Sequence, residues 1–277
     1  MIAVTSATGN IGLSLVRMLQ SAKRPFRVIA RDPLRAAKLL GPDVAIADAA
    51  SPDALAGATK AFYLGHPGPE LGAAAGAFAT AAKAAGVAHV VAISSGTIDM
   101  DPPTILGGWH LDLERALSAS GVACTFLRPG NFASNALRWA PTIRAKSTVF
   151  APKPDSASIP VDPYDIAAVA FASLVNDGHA GKTYSVQGPT VMTARTQAAI
   201  IADAIGKPIH VVDVSAEQAR NGMIGAGMPA RMADAVVELI GHSEPKPSSA
   251  VLDVTGTVPR TFAAWVAEHR AAFASIS

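Results

Sequence analysis

Between a short apolar run, Ile2–Val4, and an amphipathic one, Ile11–Gln20, the chain places the stretch S-A-T-G-N-I-G, Ser6 to Gly12. Two glycines three residues apart, at a strand-to-helix junction, are what a phosphate needs. Gly9 lets the backbone approach an anion, and Gly12 lets the helix pack close to the strand. The first N–H groups of that helix lack intrahelical acceptors, and the helix dipole adds positive potential there. A pyrophosphate would rest on them. Ser6 stands where a dinucleotide fingerprint has its first glycine. Serine fits that turn if φ there stays negative, and its hydroxyl could then face a phosphate. At the end of the next apolar run, in "VIARDP", comes Arg31. An acidic residue at that point would accept from a ribose 2′-hydroxyl, whereas a guanidinium fork suits a 2′-phosphate. Asp32 precedes Pro33 and is expected to cap the following helix. NADPH is therefore favoured over NADH.

Elements that could hold such a loop recur along the first half. Apolar runs at Ile2–Val4, Phe26–Ala30, Val44–Ala47, Ala61–Leu64, His89–Ile93 and Cys124–Leu127 alternate with helical stretches at Ile11–Gln20, Leu34–Leu39, Ser51–Ala56, Leu71–Ala85 and Trp109–Ala119. The runs are apolar throughout, as strands buried on both faces are. The alternation predicts an α/β fold, a Rossmann-type doubly wound parallel sheet, with ligands at the carboxyl ends of its strands. The nucleotide-binding domain is expected to cover residues 1–150. A smaller α/β lobe, 151–277, is expected to complete a substrate cleft, with part of it, near Tyr184–Val186, returning to the sheet. Within the later chain, "NFASNALRWAPTIRAK" reads as a helix, and Asp162 or Asp165 starts a helix over Ile166–Asn176. Thr193 caps the next helix, "HVVDV" is a strand, and helices follow at Ala216–Gly225, Met228–Gly241 and Thr261–Phe273.

Composition narrows the partners. The 277 residues are half hydrophobic and carry a net charge of +2. No basic stripe argues for nucleic acid, and no run is long enough to span a membrane. The single cysteine, Cys124, lies in an apolar run. No leader pattern is visible, so a cytoplasmic protein is expected. The expected partner is a small-molecule substrate, and a homodimer stays open.

Several longer stretches carry a family signature. "VTSATGNIG", "ARDPLRAAKL", "HVVAISSG", "HLDLERALSASGVACTFLRPGNFASN" and "IPVDPYDIAAVA" together resemble the NmrA-like branch of the atypical short-chain dehydrogenase/reductases, similar to NADPH:quinone reductases. The likeness runs through "TYSVQGP" and the terminal "RTFAAWVAEHRAAF". The family loop reads G-A-T-G-x-x-G, so Ser6 departs from it. The resemblance implies that Thr8, Gly9, Asn10 and Ile11 hold the pyrophosphate and Arg31 meets the 2′-phosphate. It sets Asp48 near the adenine, Gly65 and His66 along the ribose and nicotinamide side, and Ser94 beside the nicotinamide. It also implies that the turn Arg128 to Phe132 closes over that end.

The parent superfamily reduces carbonyls with a Tyr and a Lys four residues apart on one helix. Here Leu106 falls at the Tyr position and His110 at the Lys position. Tyr63, Tyr164 and Tyr184 lie elsewhere. His110 could bind ribose, act as an acid near neutral pH, or simply bond Glu114 or backbone. Glu114 is expected to anchor the helix. Trp109, Leu113 and Leu117 form an apolar stripe. Ser94 and Ser95 could bond a substrate oxygen or cap turns. Met223, Met228 and Met232 belong to a late helix pair, as core or as a soft lid.

Three functions fit a chain without the Tyr: a reductase passing hydride to a small, largely apolar acceptor such as a quinone or activated carbonyl, an NADP(H)-sensing regulator, or a cofactor-assisted isomerase or biosynthetic tailoring enzyme.

Overall fold

The computed structural model describes residues 1–240 and 246–274. In chain order the elements are β1 (Ile2–Thr5), α1 (Asn10–Ser21), β2 (Phe26–Ala30), α2 (Pro33–Leu40), β3 (Ile46–Asp48), β4 (Lys60–Tyr63), α3 (Leu71–Ala84), β5 (His89–Ile93), α4 (Ile105–Ala119) and β6 (Ala123–Pro129). There follow α5 (Ala140–Lys146), β7 (Thr148–Ala151), α6 (Pro163–Val175), β8 (Thr183–Val186), α7 (Ala194–Ile205), β9 (His210–Asp213), α8 (Ala216–Gly225), α9 (Ala230–Glu238), α10 (Ala250–Thr255) and α11 (Phe262–Phe273). Short 3₁₀ turns occupy Gly96–Asp99 and Ala133–Trp139.

Seven strands form one parallel sheet in the order β3-β2-β1-β4-β5-β6-β8, and β7 and β9 form a separate parallel pair. Side chains alternate across the large sheet, as the period of two requires. Val4, Phe62, Val91 and Ile93 join one apolar cluster with α1 and α6, while Ala3, Ala61, Val90 and Ala92 join another with α3 and α4. Both faces are covered, which explains the uninterrupted apolar runs of the sequence. Small residues let the second layer pack tightly, and a methyl group on Gly72 of α3 would come within 2.8 Å of the Asp112 Cβ on α4. A third cluster joins α5, α7, α11 and the β7–β9 pair around Trp265.

Three sequence expectations are corrected. Ser51–Ala56 is a chain of turns, with Ala54 N donating to Ser51 O and Ala56 N to Asp53 O. Pro52 and the left-handed Gly57 (φ 74°) leave too short a segment for an α-helix. The helix expected from Asn131 to Lys146 divides. Ala133 and Ala136, three apart, are both buried, which is the 3₁₀ period. Pro141 cannot donate to a carbonyl four residues back, so the α-helix starts at Ala140, with the proline in its first turn. The late helix expected to end at Gly241 runs from Ala230 to Glu238, and Gly241 lies outside the described residues. The choice between Asp162 and Asp165 resolves to Asp162, whose carboxylate accepts the Tyr164 N–H and caps α6.

Candidate functional site

The carboxyl ends of β1 and β4 are tied by two hydroxyls. Thr5 Oγ1 donates to Phe62 O (3.1 Å) and accepts the Leu64 N–H (3.0 Å), while Ser6 Oγ donates to Leu64 O (2.8 Å). Ser6 itself has φ 51°. The serine thus occupies the turn without the negative φ on which its fit was made conditional, and its hydroxyl is given to Leu64 rather than left to face a phosphate. The turn keeps the left-handed geometry a glycine would adopt freely, and the bond to Leu64 offsets part of the strain. Gly12 is held by close approach, since a methyl group there would collide with the Ser6 carbonyl and stand 2.7 Å from the Ala7 Cα. Gly9 is under no such constraint within the protein, its added methyl meeting only Ser6 O at 3.5 Å. Its freedom serves whatever lies outside.

Helix α1 begins beyond Gly9 with no side-chain cap and no acidic residue in its first turn. Among the described residues, the N–H groups of Asn10, Ile11 and Gly12 have no protein acceptor. Thr8, Gly9 and Asn10 are exposed, while the Ile11 side chain anchors the turn in the core.

Arg31 follows β2, is exposed, and pairs with no carboxylate among the described residues. Its neighbour Asp32 caps α2 by accepting the Arg35 N–H at 2.9 Å. Asp48 ends β3, and one of its oxygens accepts the Ala50 N–H at 2.9 Å. Just past it opens a cavity of about 310 Å³ with mostly apolar walls, including Ile29, Pro52, Leu55 and Phe78. It lies at the same edge as Arg31.

Gly65 and His66 follow β4, His66 being exposed and Gly65 half-buried. Beneath them lies a residue that sequence reasoning passed over. Tyr63 is 6% exposed and stacks on Phe78 at 4.5 Å, and its hydroxyl has no hydrogen-bond partner among the described residues. Burial pushes its pKa up, so the phenol keeps its proton as a donor. Its position in an apolar run gave no signal of an unanswered hydroxyl.

Ser94 follows β5, donates its N–H to Leu127 O (2.7 Å) and is 2% exposed, yet its hydroxyl has no partner among the described residues. Ser95 instead caps the 3₁₀ turn through Thr97. On the adjoining helix α4, His110 Nδ1–H donates to Leu106 O at 2.8 Å, leaving Nε2 as the free ring nitrogen. Burial lowers its pKa, and the Leu106 carbonyl and the Glu114 charge only partly oppose this. The imidazole is thus neutral near pH 7, with Nε2 an acceptor. The acid role read from the sequence is not favoured, because the one ring proton is already given to Leu106.

Glu114 holds the Arg128 fork with both oxygens (2.9 and 2.7 Å), and Arg128 also reaches Asp99 at 2.7 Å. This network spans α4, β6 and the 3₁₀ turn, and fixes the Arg128–Phe132 turn beside Ser94. Trp109 is 7% exposed and packs in the core, with Arg231 over its ring.

A family profile described as NAD(P)H-binding matches residues 6–177. The chain is 38% identical over 99% of both sequences to an NAD(P)H azoreductase of Xenophilus azovorans.

The chain belongs to the NAD(P)H-binding family.

A second relative of this family, the (4-alkanoyl-5-oxo-2,5-dihydrofuran-3-yl)methyl phosphate reductase of Streptomyces griseus, is 36% identical over 99% of both chains. The Escherichia coli NADPH-dependent quinone oxidoreductase, solved with NADPH, superposes with a TM-score of 0.85 at 26% identity, covering 97% of this chain and 99% of that one. The class is that of NAD(P)H-dependent reductases. The NAD(P)H-binding match begins at Ser6, the residue where the loop departs from the glycine pattern. No helix among the described residues is long and apolar enough to cross a membrane.

Proposed function

We propose that this protein is an NADPH-dependent reductase of small organic acceptors, quinone-like, azo-like or activated carbonyl compounds. The observation that carries the reading is a row of unanswered donors along one edge of the sheet: the N–H groups of Asn10 to Gly12, the Arg31 guanidinium and the buried Ser94 hydroxyl. Buried or clustered donors without acceptors are costly unless a ligand answers them. NADPH fits this row. The first turn of α1 would hold the pyrophosphate, with Thr8 and Gly9 leaving room for it. Arg31 would hold the 2′-phosphate. Asp48 and the neighbouring apolar cavity would take the adenosine, Gly65 and His66 would flank the ribose and nicotinamide side, and Ser94 would bond the nicotinamide end.

Bound NADPH supplies the hydride. Around it, His110 Nε2 accepts from a hydroxyl of ribose or substrate, and the Glu114–Arg128–Asp99 network holds the β6 turn against the site. With Leu106 at the position of the superfamily's tyrosine, no side chain there donates a proton. The reduced acceptor takes its proton from water, which suits acceptors whose product anion is stable in water. The azoreductase and quinone oxidoreductase relatives are named for acceptors of that kind, which supports the reading.

Arg31→Ala tests the cofactor assignment. Loss of a charge-assisted pair should weaken NADPH by about 1.5–3 kcal/mol and leave NADH nearly unchanged. Equal losses for both cofactors would remove the 2′-phosphate from Arg31.

A further inference from the structure

The amino edge of the sheet, opposite the cofactor edge, carries a row of polar side chains that the proposed reaction does not use. Lys60 of β4 and His89 of β5 pair in register, and Thr125 of β6 pairs with Val91, two residues on from His89. The period of two puts all three on the face that Phe62 and Val91 share with α6. His179, in the segment between α6 and β8, and Tyr184 of β8 complete the row.

Hydrogen bonds join it. Thr125 Oγ1 donates to His179 O at 2.6 Å, so it accepts from His89 Nε2–H at 2.8 Å, which fixes the His89 tautomer. His179 Nδ1 shares a proton with the Tyr184 hydroxyl at 2.8 Å. The Gly181 N–H donates to Cys124 O at 2.7 Å and the Phe126 N–H to Lys182 O at 3.0 Å. Together these bonds fasten the start of β8, an edge strand whose one neighbour in the sheet is β6. At its other end β8 seats the Arg128–Phe132 turn beside Ser94. The Gly130 N–H donates to Val186 O at 3.2 Å, and the Gln187 side chain packs against Gly130.

The charges available to the row are of one sign. Lys60, His89, His179 and the exposed Lys182 are bases. The Cys124 thiol faces the other layer, and burial pushes its pKa up to about 11. Asp177, two residues before His179, is exposed, and no carboxylate among the described residues pairs with any of these bases. His89 is 7% exposed. A second proton on it goes to Nδ1, which has no protein acceptor among the described residues, and creates a buried cation beside Lys60. Burial, Lys60 and His179 accordingly lower the His89 pKa, and burial and Lys60 lower that of His179.

We propose that this row is an acid-sensitive clasp: with both histidines neutral it holds β8, and through β8 the turn beside Ser94, and protonation of His89 and His179 loosens it. The clasp does not depend on the reductase reading. A base whose folded pKa lies below its unfolded value of 6.5 lends stability that is whole above that pH and is lost as pH falls through it. Each histidine can lower the folded-to-unfolded ratio by up to about tenfold per pH unit in that window.

Urea unfolding across that window, with each variant compared with wild type at the same pH, tests the charge argument. The His89→Gln/His179→Gln double variant should lose less stability on acidification than wild type. Lys60→Met, which removes a like charge and no side-chain hydrogen bond, should move the onset of the loss to lower pH. Amide exchange locates it: on acidification the protection factors of Thr183–Val186 should fall in wild type more than those of β5, and Lys60→Met should narrow the gap. If His89→Gln does not fold, Lys60→Met and His179→Gln decide. The same acid dependence in wild type, Lys60→Met and His179→Gln, or protection lost evenly across the sheet, would overturn the proposal.

Discussion

Replacing Ser6 separates two effects that the structure sets against each other. A non-glycine residue at φ 51° carries left-handed strain of about 1–2 kcal/mol. The Ser6–Leu64 hydrogen bond at 2.8 Å returns about 0.5–1.5 kcal/mol. Ser6→Ala keeps the strain and loses the bond, so it should destabilise the fold by about 1 kcal/mol. Ser6→Gly also loses the bond and adds unfolded-chain entropy worth about 0.5–1 kcal/mol, but it removes the strain, so its net effect should be near zero. The order of stability is wild type and glycine together, alanine below. Urea unfolding measures it, and a loss of about 1 kcal/mol lowers Tm by about 2–4 °C in a chain near this size. Because the hydroxyl is given to Leu64, Ser6→Ala should leave NADPH affinity within about twofold, less than one neutral hydrogen bond. Alanine as stable as serine, or glycine less stable than alanine, would refute the strain argument. A tenfold loss of NADPH affinity in Ser6→Ala would return the hydroxyl to the phosphate.

Gly12→Ala should abolish NADPH binding or the fold of the loop, since its methyl group has nowhere to go between Ser6 and Ala7; an alanine variant that binds normally would contradict the close approach. His110→Gln should lower turnover modestly without shifting its pH profile near neutrality, because burial lowers the His110 pKa and the neutral ring takes up no proton there; a lost acidic limb would restore its role as an acid. Asp165, at the start of α6, accepts the Arg260 N–H at 2.8 Å, and its pKa is raised to about 6, burial outweighing that bond and the Asp162 charge adding to the rise. A carboxyl whose folded pKa lies above its unfolded value of 3.8 stabilises the fold below that value, and the contribution fades as pH rises through 6. Stability should therefore fall from pH 4 to pH 6 by up to about 1.4 kcal/mol per pH unit from this group. Asp165→Asn, which keeps the acceptor oxygen, should flatten that slope; an unchanged slope would assign it elsewhere.

The sheet was legible because parallel strands buried on both faces must be apolar throughout, and each of the six runs coincides with or overlaps a strand. Asp32 was readable as a cap because Pro33 follows it. Glu114 was readable as an anchor, but its partner Arg128, fourteen residues on, was not, since pairing across α4 and β6 leaves no local spacing. The conformation of Ser6 was hidden for a different reason. Residue type sets what a backbone prefers, and only the hydroxyl bond to Leu64 shows why serine stays where φ is positive. Ser51–Ala56 looked helical in composition because Ala and Leu are helix formers, and Pro52 and Gly57 overrode them. The cofactor edge could be drawn residue by residue from the loop and the strand ends. The unanswered hydroxyls of Tyr63 and Ser94 could not, because an absent partner is a property of packing rather than of sequence.

The most direct measurement follows reduced nicotinamide absorbance while the purified protein is titrated with NADPH and NADH and then given a panel of quinones and azo compounds. The account predicts NADPH binding tighter than NADH, and NADPH oxidation that begins only when an acceptor is added. NADH binding as tight as NADPH, or tight NADPH binding that no acceptor discharges, would contradict it.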